Sequence, residues 1–232
     1  MNMKKLFSFM LVPRWERSAM NNFVMGRYAK AEEFFRRIQE VQPDKFALGH
    51  NLGLVSLAQE RYEEAAGYFL RELEKYGETY IRFKALGDTY YIWGKREKCS
   101  EYYSKALELC EHEGDRRLIS RRMTLCADPA GFETAMESLR ELKKGNSLMA
   151  ERDMDGAYEA FRKAAGLDEY NFQAWNNLGA LEMNHKKNIP ASAEFFRKAA
   201  ALTSLQAIHN NLKRAETMAV PKEGKDVKKR KK

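Results

Sequence analysis

The stretch YEEAAGYF, residues 62–69, decides the fold. Its Ala65 and Phe69 stand four residues apart, one turn of helix, and the same small-then-ring pair recurs 34 residues to either side as Ala31 with Phe35 and Cys99 with Tyr103. Upstream, Leu52-Gly53 returns as Leu86-Gly87 at the same interval. A fixed period of this length belongs to helix-turn-helix units that cannot bury their apolar faces alone and therefore stack.

Working outward, repeat one runs from about Val12 to Asp44 through Trp15, Ala19, Gly26, Tyr28, Ala31, Phe35 and Pro43. Repeat two, about Phe46 to Thr79, supplies Leu52, Gly53, Tyr62, Ala65 and Phe69, and repeat three, about Tyr80 to Gly114, supplies Phe83, Leu86, Gly87, Tyr90, Cys99, Tyr103 and Ala106. These residues resemble the tetratricopeptide repeat family, in which an early aromatic and Leu-Gly lie on the first helix and Ala and Phe on the second, before a closing Pro. The resemblance implies an all-α, right-handed solenoid of stacked antiparallel helix pairs. Small residues are needed where two helices cross closely, and rings fill the wider gaps. Gly53 and Gly87 are accordingly expected to face Ala65 and Cys99.

After repeat three the register breaks, since Tyr103 to Phe161 is 58 residues, one period plus 24. The extra segment carries Leu118, Ile119, Met123 and Leu125 at helical spacing, stops at Asp128-Pro129, and reads as a degenerate repeat or a linking helix pair. Its Arg116, Arg117, Arg121 and Arg122 are expected to gather on one exposed side. The echo resumes through Gly145, Leu148, Ala157, Phe161 and Ala164, then through Trp175, Leu178, Gly179, Pro190, Ala191, Phe195 and Phe196 beyond a turn with room for one extra residue. The expected order is an apolar leader at 1–11, three repeats over 12–114, an irregular helical insert over 115–137, two repeats over 138–205, a capping helix over 206–219 and a disordered basic tail over 220–232.

Composition agrees with a soluble helical chain, 44% hydrophobic and 32% charged with five prolines in 232 residues. The net charge of +8 is concentrated, because the last twelve residues hold seven cations against two carboxylates, leaving the body near +3. The three cysteines show no paired spacing and argue against a disulfide framework or zinc site, so Cys99 reads as a small buried hydrophobe and the expected location is the reducing cytoplasm. Lys4-Lys5 followed by Leu6 to Val12 imitates a secretory leader, but Pro13-Arg14-Trp15 stands where a small-residue cleavage site belongs. The leader is instead expected to pack on the first repeat or on another subunit, and no segment reaches membrane-spanning length.

No nucleophile elbow, phosphate loop or zinc-protease helix occurs, and the four histidines are scattered, so neither catalysis nor a cofactor or metal is expected. The family resemblance implies binding of a protein or peptide in a concave groove lined by the first helices. In that register the groove residues are His50, Asn51, Lys84, Lys143, Asn146, Asn176, Asn177 and Asn211, with Leu54 and Asp88 beside them. Asn51, Asn177 and Asn211 are equivalent, and an amide offers a donor and an acceptor to a peptide backbone. Lys84 and Lys143 are expected to meet an acidic side chain. Members that bind chaperone C-termini use a set of lysines, asparagines and an arginine. Here Asn146 and Asn177 match it, whereas Leu142, Ala207 and Asn211 replace its cations, so that ligand is disfavoured.

The alternative is an accessory protein that meets RNA, ribosome or an anionic surface weakly through the basic tail and the arginine cluster, by counterion release.

Overall fold

The computed structural model describes residues 3–219, with side chains from residue 10 onward. Among the described residues the chain is all-α, with twelve α-helices, one π-helical turn and no strand. The described residues divide into two compact units, one up to Leu109 and one from Cys110. The basic tail and its expected partners lie outside the described residues.

Unit one is three antiparallel pairs: α1 (Met3–Val24) with α2 (Tyr28–Val41), α3 (Leu48–Ala58) with α4 (Tyr62–Tyr76), and α5 (Tyr80–Ile92) with α6 (Arg96–Glu108). Helix α1 runs without a break through residue 12, where the leader was expected to give way to the first repeat, and carries Pro13 inside it. Helix α2 ends at Val41, just ahead of Pro43, which cannot continue a helix.

The core is built from the periodic residues. Ala31, Phe35, Leu52, Ala65, Phe69, Leu86, Cys99 and Tyr103 are all at most 1% exposed. The glycines face the rings rather than Ala65 and Cys99, which corrects the sequence reading. A Cβ on Gly53 would lie 2.6 Å from Phe69, and one on Gly87 would collide with Tyr103. The ring of the second helix thus lies against the glycine of the first.

Unit two opens with α7 (Glu113–Ala127) and α8 (Pro129–Ala150), which Asp128 separates by accepting from the Ala130 N–H at 3.1 Å as N-cap. Helix α8 pairs with α9 (Met154–Leu167), α10 (Phe172–Leu181) pairs with α11 (Ile189–Ala200), and α12 (Gln206–Ala219) packs on α11. Helix α7 is not a repeat. Its Leu118 packs with Phe172, Ala199 and Ile208. The buried Asp115 accepts hydrogen bonds from the Ser204 hydroxyl at 2.5 Å and the Ser204 N–H at 3.3 Å. The four arginines do not form one free patch: Arg116 donates to the Cys110 carbonyl at 2.6 Å, Arg117 pairs with Glu113 at 3.2 Å, and Arg121 lies over the Tyr170 ring. Burial pushes the Asp168 carboxyl above its ordinary value, opposed by the Tyr170 N–H and by Arg122 and Arg121.

The extra residue expected before Pro190 is real. Gly145 meets Phe161 sixteen positions later, but Gly179 meets Phe196 seventeen positions later. A π-helical turn, Glu182–Lys186, takes up the difference and ends on Lys187 with φ of 59°. Tyr158 hydrogen-bonds the buried Glu182 in that turn, and burial together with this carboxylate pushes the phenol up to about 12.

Cys110 is a buried free thiol, and Cys99 and Cys126 are buried as well. Among the described residues no helix is long and apolar enough to cross a membrane.

Candidate functional site

Four of the eight sequence-predicted groove residues meet in unit two. Helices α8, α10 and α12 present Asn146, Asn176 with Asn177, and Asn211, and their side chains bond in one direction. Asn211 Nδ2 donates to Asn176 Oδ1 at 3.0 Å, Asn176 Nδ2 to Asn177 Oδ1 at 3.4 Å, and Asn177 Nδ2 to Asn146 Oδ1 at 3.1 Å. The ladder forms because 31 to 35 residues separate the partners across helices, close to the period, so equivalent faces align.

The amides are partly satisfied by one another, where the sequence suggested each stood ready for a ligand alone. A primary amide has two N–H donors and two acceptor sites. Asn146 therefore keeps both donors at one end, Asn211 keeps its carbonyl at the other, and each intermediate amide keeps one N–H. Asn146 is exposed and the other three are half-buried, so these remaining groups face solvent across three helices. Lys143, also exposed, lies one turn before Asn146 on α8.

The other three predicted residues belong to unit one and do not join the ladder. His50 tilts against Phe69 with ring centroids 5.3 Å apart, and burial, with a contribution from Arg82, lowers its pKa below the ordinary histidine value. Asn51 is half-buried and makes no side-chain hydrogen bond among the described residues. Lys84 was expected to await an acidic ligand group, but it pairs with Asp88 at 2.6 Å, one turn along α5. Tyr103 donates to the other oxygen of the same carboxylate at 2.8 Å. Sequence reasoning placed Lys84 and Asp88 on one face without asking whether they would neutralise each other.

Sequence profiles described as Tetratricopeptide repeat match residues 19–78 and 142–207, and a second profile of the same description matches 85–113. The chain belongs to the tetratricopeptide repeat family. Members of this family are in general non-enzymatic scaffolds for protein interaction. A curated human relative, Protein O-mannosyl-transferase TMTC1, is 24% identical over 84% of this chain, which spans only 24% of the relative's length. Among solved structures, YrrB, described as a tetratricopeptide repeat protein with an unusual peptide-binding site, is 19% identical over 86% of this chain and 90% of its own, with a TM-score of 0.42. The repeat domain of yeast Sti1, solved as an HSP90 complex, is 15% identical over 90% of this chain and 84% of its own, with a TM-score of 0.43.

Proposed function

We propose that the tetratricopeptide repeats of unit two hold an extended segment of a partner protein against the asparagine ladder. The observation that carries this reading is the unidirectional run of amides from Asn211 to Asn146, which leaves unused donors and an acceptor along one line. An extended backbone presents alternating N–H and C=O groups and can bond such a line whatever its side chains. His50, Asn51 and Lys84 fall outside this surface, and Lys84 is further disqualified by its ion pair.

The competing reading, attraction to RNA or an anionic surface, rests on the sequence of residues 220–232, because the arginines of α7 are engaged locally. One experiment separates the two. Partners are captured on the full chain, on the Asn146→Ala/Asn177→Ala/Asn211→Ala variant and on a chain lacking residues 221–232, and quantified by mass spectrometry. The expected result is at least a tenfold loss of a stoichiometric protein with the ladder variant and retention with the tail deletion. Loss with the tail deletion alone would reject the ladder.

A further inference from the structure

The 34-residue register loses its ring at two first helices, α3 and α8, and only at α3 is the position left without a side chain. Four positions before the small residue of the first helix, α1, α5 and α10 carry rings: Trp15, Phe83 and Trp175. Helix α3 carries Gly49 there. Three positions after the ring of the second helix, α2, α6, α9 and α11 bury Ile38, Ala106, Ala164 and Ala199 completely, whereas α4 carries Glu72. The pair α3–α4 has thus lost a ring and gained a carboxylate at facing positions. The two exchanges depend on each other, since a Cβ on Gly49 would lie 2.5 Å from Glu72 Oε1.

What remains is a cavity of about 370 Å³ whose lining includes Gly49, Tyr68, Arg71 and Glu72, with Lys45 and Lys75 also on its wall. Glu72 is only 6% exposed and has no hydrogen bond or ion pair among the described residues. A mostly buried carboxylate without a protein partner is open to a cation that reaches it through the cavity. The nearby lysines are otherwise engaged, Lys45 with Glu16 at 3.4 Å and Lys75 with Asp44. The exposed Arg71 lies with its guanidinium 4.8 Å over the Tyr68 ring and has no carboxylate partner among the described residues. Glu141, at the ring position of α8, shows the contrasting outcome, because Lys163 satisfies it at 2.5 Å.

We propose that the cavity between α2, α3 and α4 binds a small zwitterion of the α-amino-acid class. Its protonated amine donates to Glu72, which fills the place of the missing ring over Gly49, its carboxylate meets Arg71 at the mouth, and its side chain lies in the cavity against Leu48, Tyr68 and Tyr76. The volume lies within the roughly 300–1,000 Å³ usual for small-molecule sites.

The test is isothermal titration of the full chain with the twenty standard L-amino acids, phenethylamine and 3-phenylpropionate. The expected result is saturable binding of at least one amino acid, binding of phenethylamine at least tenfold weaker, and no binding of the acid that lacks an amine. Glu72→Gln, which keeps the shape and removes the charge, is expected to weaken binding at least tenfold. Gly49→Phe/Glu72→Ala, which restores the pattern of α5–α6, is expected to fold and bind none of the probes. Absence of binding by every amino acid, or undiminished binding by either variant, would overturn the site. Phenethylamine binding as tightly as the best amino acid would overturn the zwitterion assignment.

Discussion

Unit one keeps the 34-residue period through all three of its helix pairs, whereas unit two breaks it with α7 and again with the π-helical turn at Glu182–Lys186. In unit one the charged pair of α5 is satisfied locally, Lys84 by Asp88 and Asp88 also by Tyr103. In unit two they bond from helix to helix and leave an open line of amides. The difference teaches that periodicity fixes the core and does not fix the use of the surface. A single carboxylate one turn from a lysine closes a candidate binding position that an asparagine leaves open.

The comparison can be broken first at the core, where both units should behave alike. Phe69→Ala and Phe161→Ala, each removing a fully buried ring from a glycine, are expected to cost about 3–5 kcal/mol. Urea unfolding checks this, with Trp175 fluorescence reporting on unit two. Loss in one unit and none in the other would show that the shared register does not mean shared packing. A smaller effect of about 1–3 kcal/mol is expected for Ala65→Leu, which overpacks a position with no free space. An unchanged midpoint would place that alanine outside the crossing.

The π-helical turn sharpens the contrast through pH. Tyr158 is held near 12 by burial and by Glu182, above its ordinary value of 10. A raised folded-state pKa stabilises fully below the unfolded value and loses that contribution as pH rises through the folded one. Unit two should therefore lose stability between about pH 10 and 12, and Tyr158→Phe should remove this dependence and the phenolate absorbance that appears last.

Unit one has an acid-side counterpart at Glu32. Burial works against its charge, but hydrogen bonds from Arg36, Arg61 and Gln59 outweigh burial and hold the carboxyl below its ordinary value. Its contribution is present above the unfolded pKa and is lost as pH falls through the folded one. Glu32→Gln should flatten the acid limb of unit one and cost at most about 1 kcal/mol at neutral pH, because its partners are partly exposed. The smallest expected effect belongs to the turns. Arg152 has φ of 67° where the equivalent turn residues Gly26 and Gly94 pay no steric penalty, so Arg152→Gly should stabilise unit two by up to about 1 kcal/mol in the same unfolding assay.

The helix pairs were legible because close crossing forces a small residue and a ring to fixed offsets, and Phe35, Phe69, Tyr103 and Phe161 carry that constraint in the chain itself. The ladder was half legible. Equivalent positions put Asn177 and Asn211 on one face, but whether amides touch depends on the spacing of helices, which no single position encodes. The docking of α7 was not legible, since Asp115 and Ser204 meet across 89 residues with no repeated pattern to link them. The slip before Pro190 was visible as an extra residue, and only the backbone shows that a π-helical turn absorbs it. Gly49 and Glu72 were visible as departures, yet their meaning needed the knowledge that they face each other.

The contrast between the units is tested most directly at one equivalent pair of positions, Asn51 in unit one and Asn177 in unit two. Partner capture by the full chain is compared between Asn51→Ala and Asn177→Ala. The expected result is a clear loss with Asn177→Ala, which cuts the ladder between Asn176 and Asn146, and capture at the unsubstituted level with Asn51→Ala. Equal loss from both, or loss from Asn51→Ala alone, would contradict the assignment of binding to the ladder of unit two.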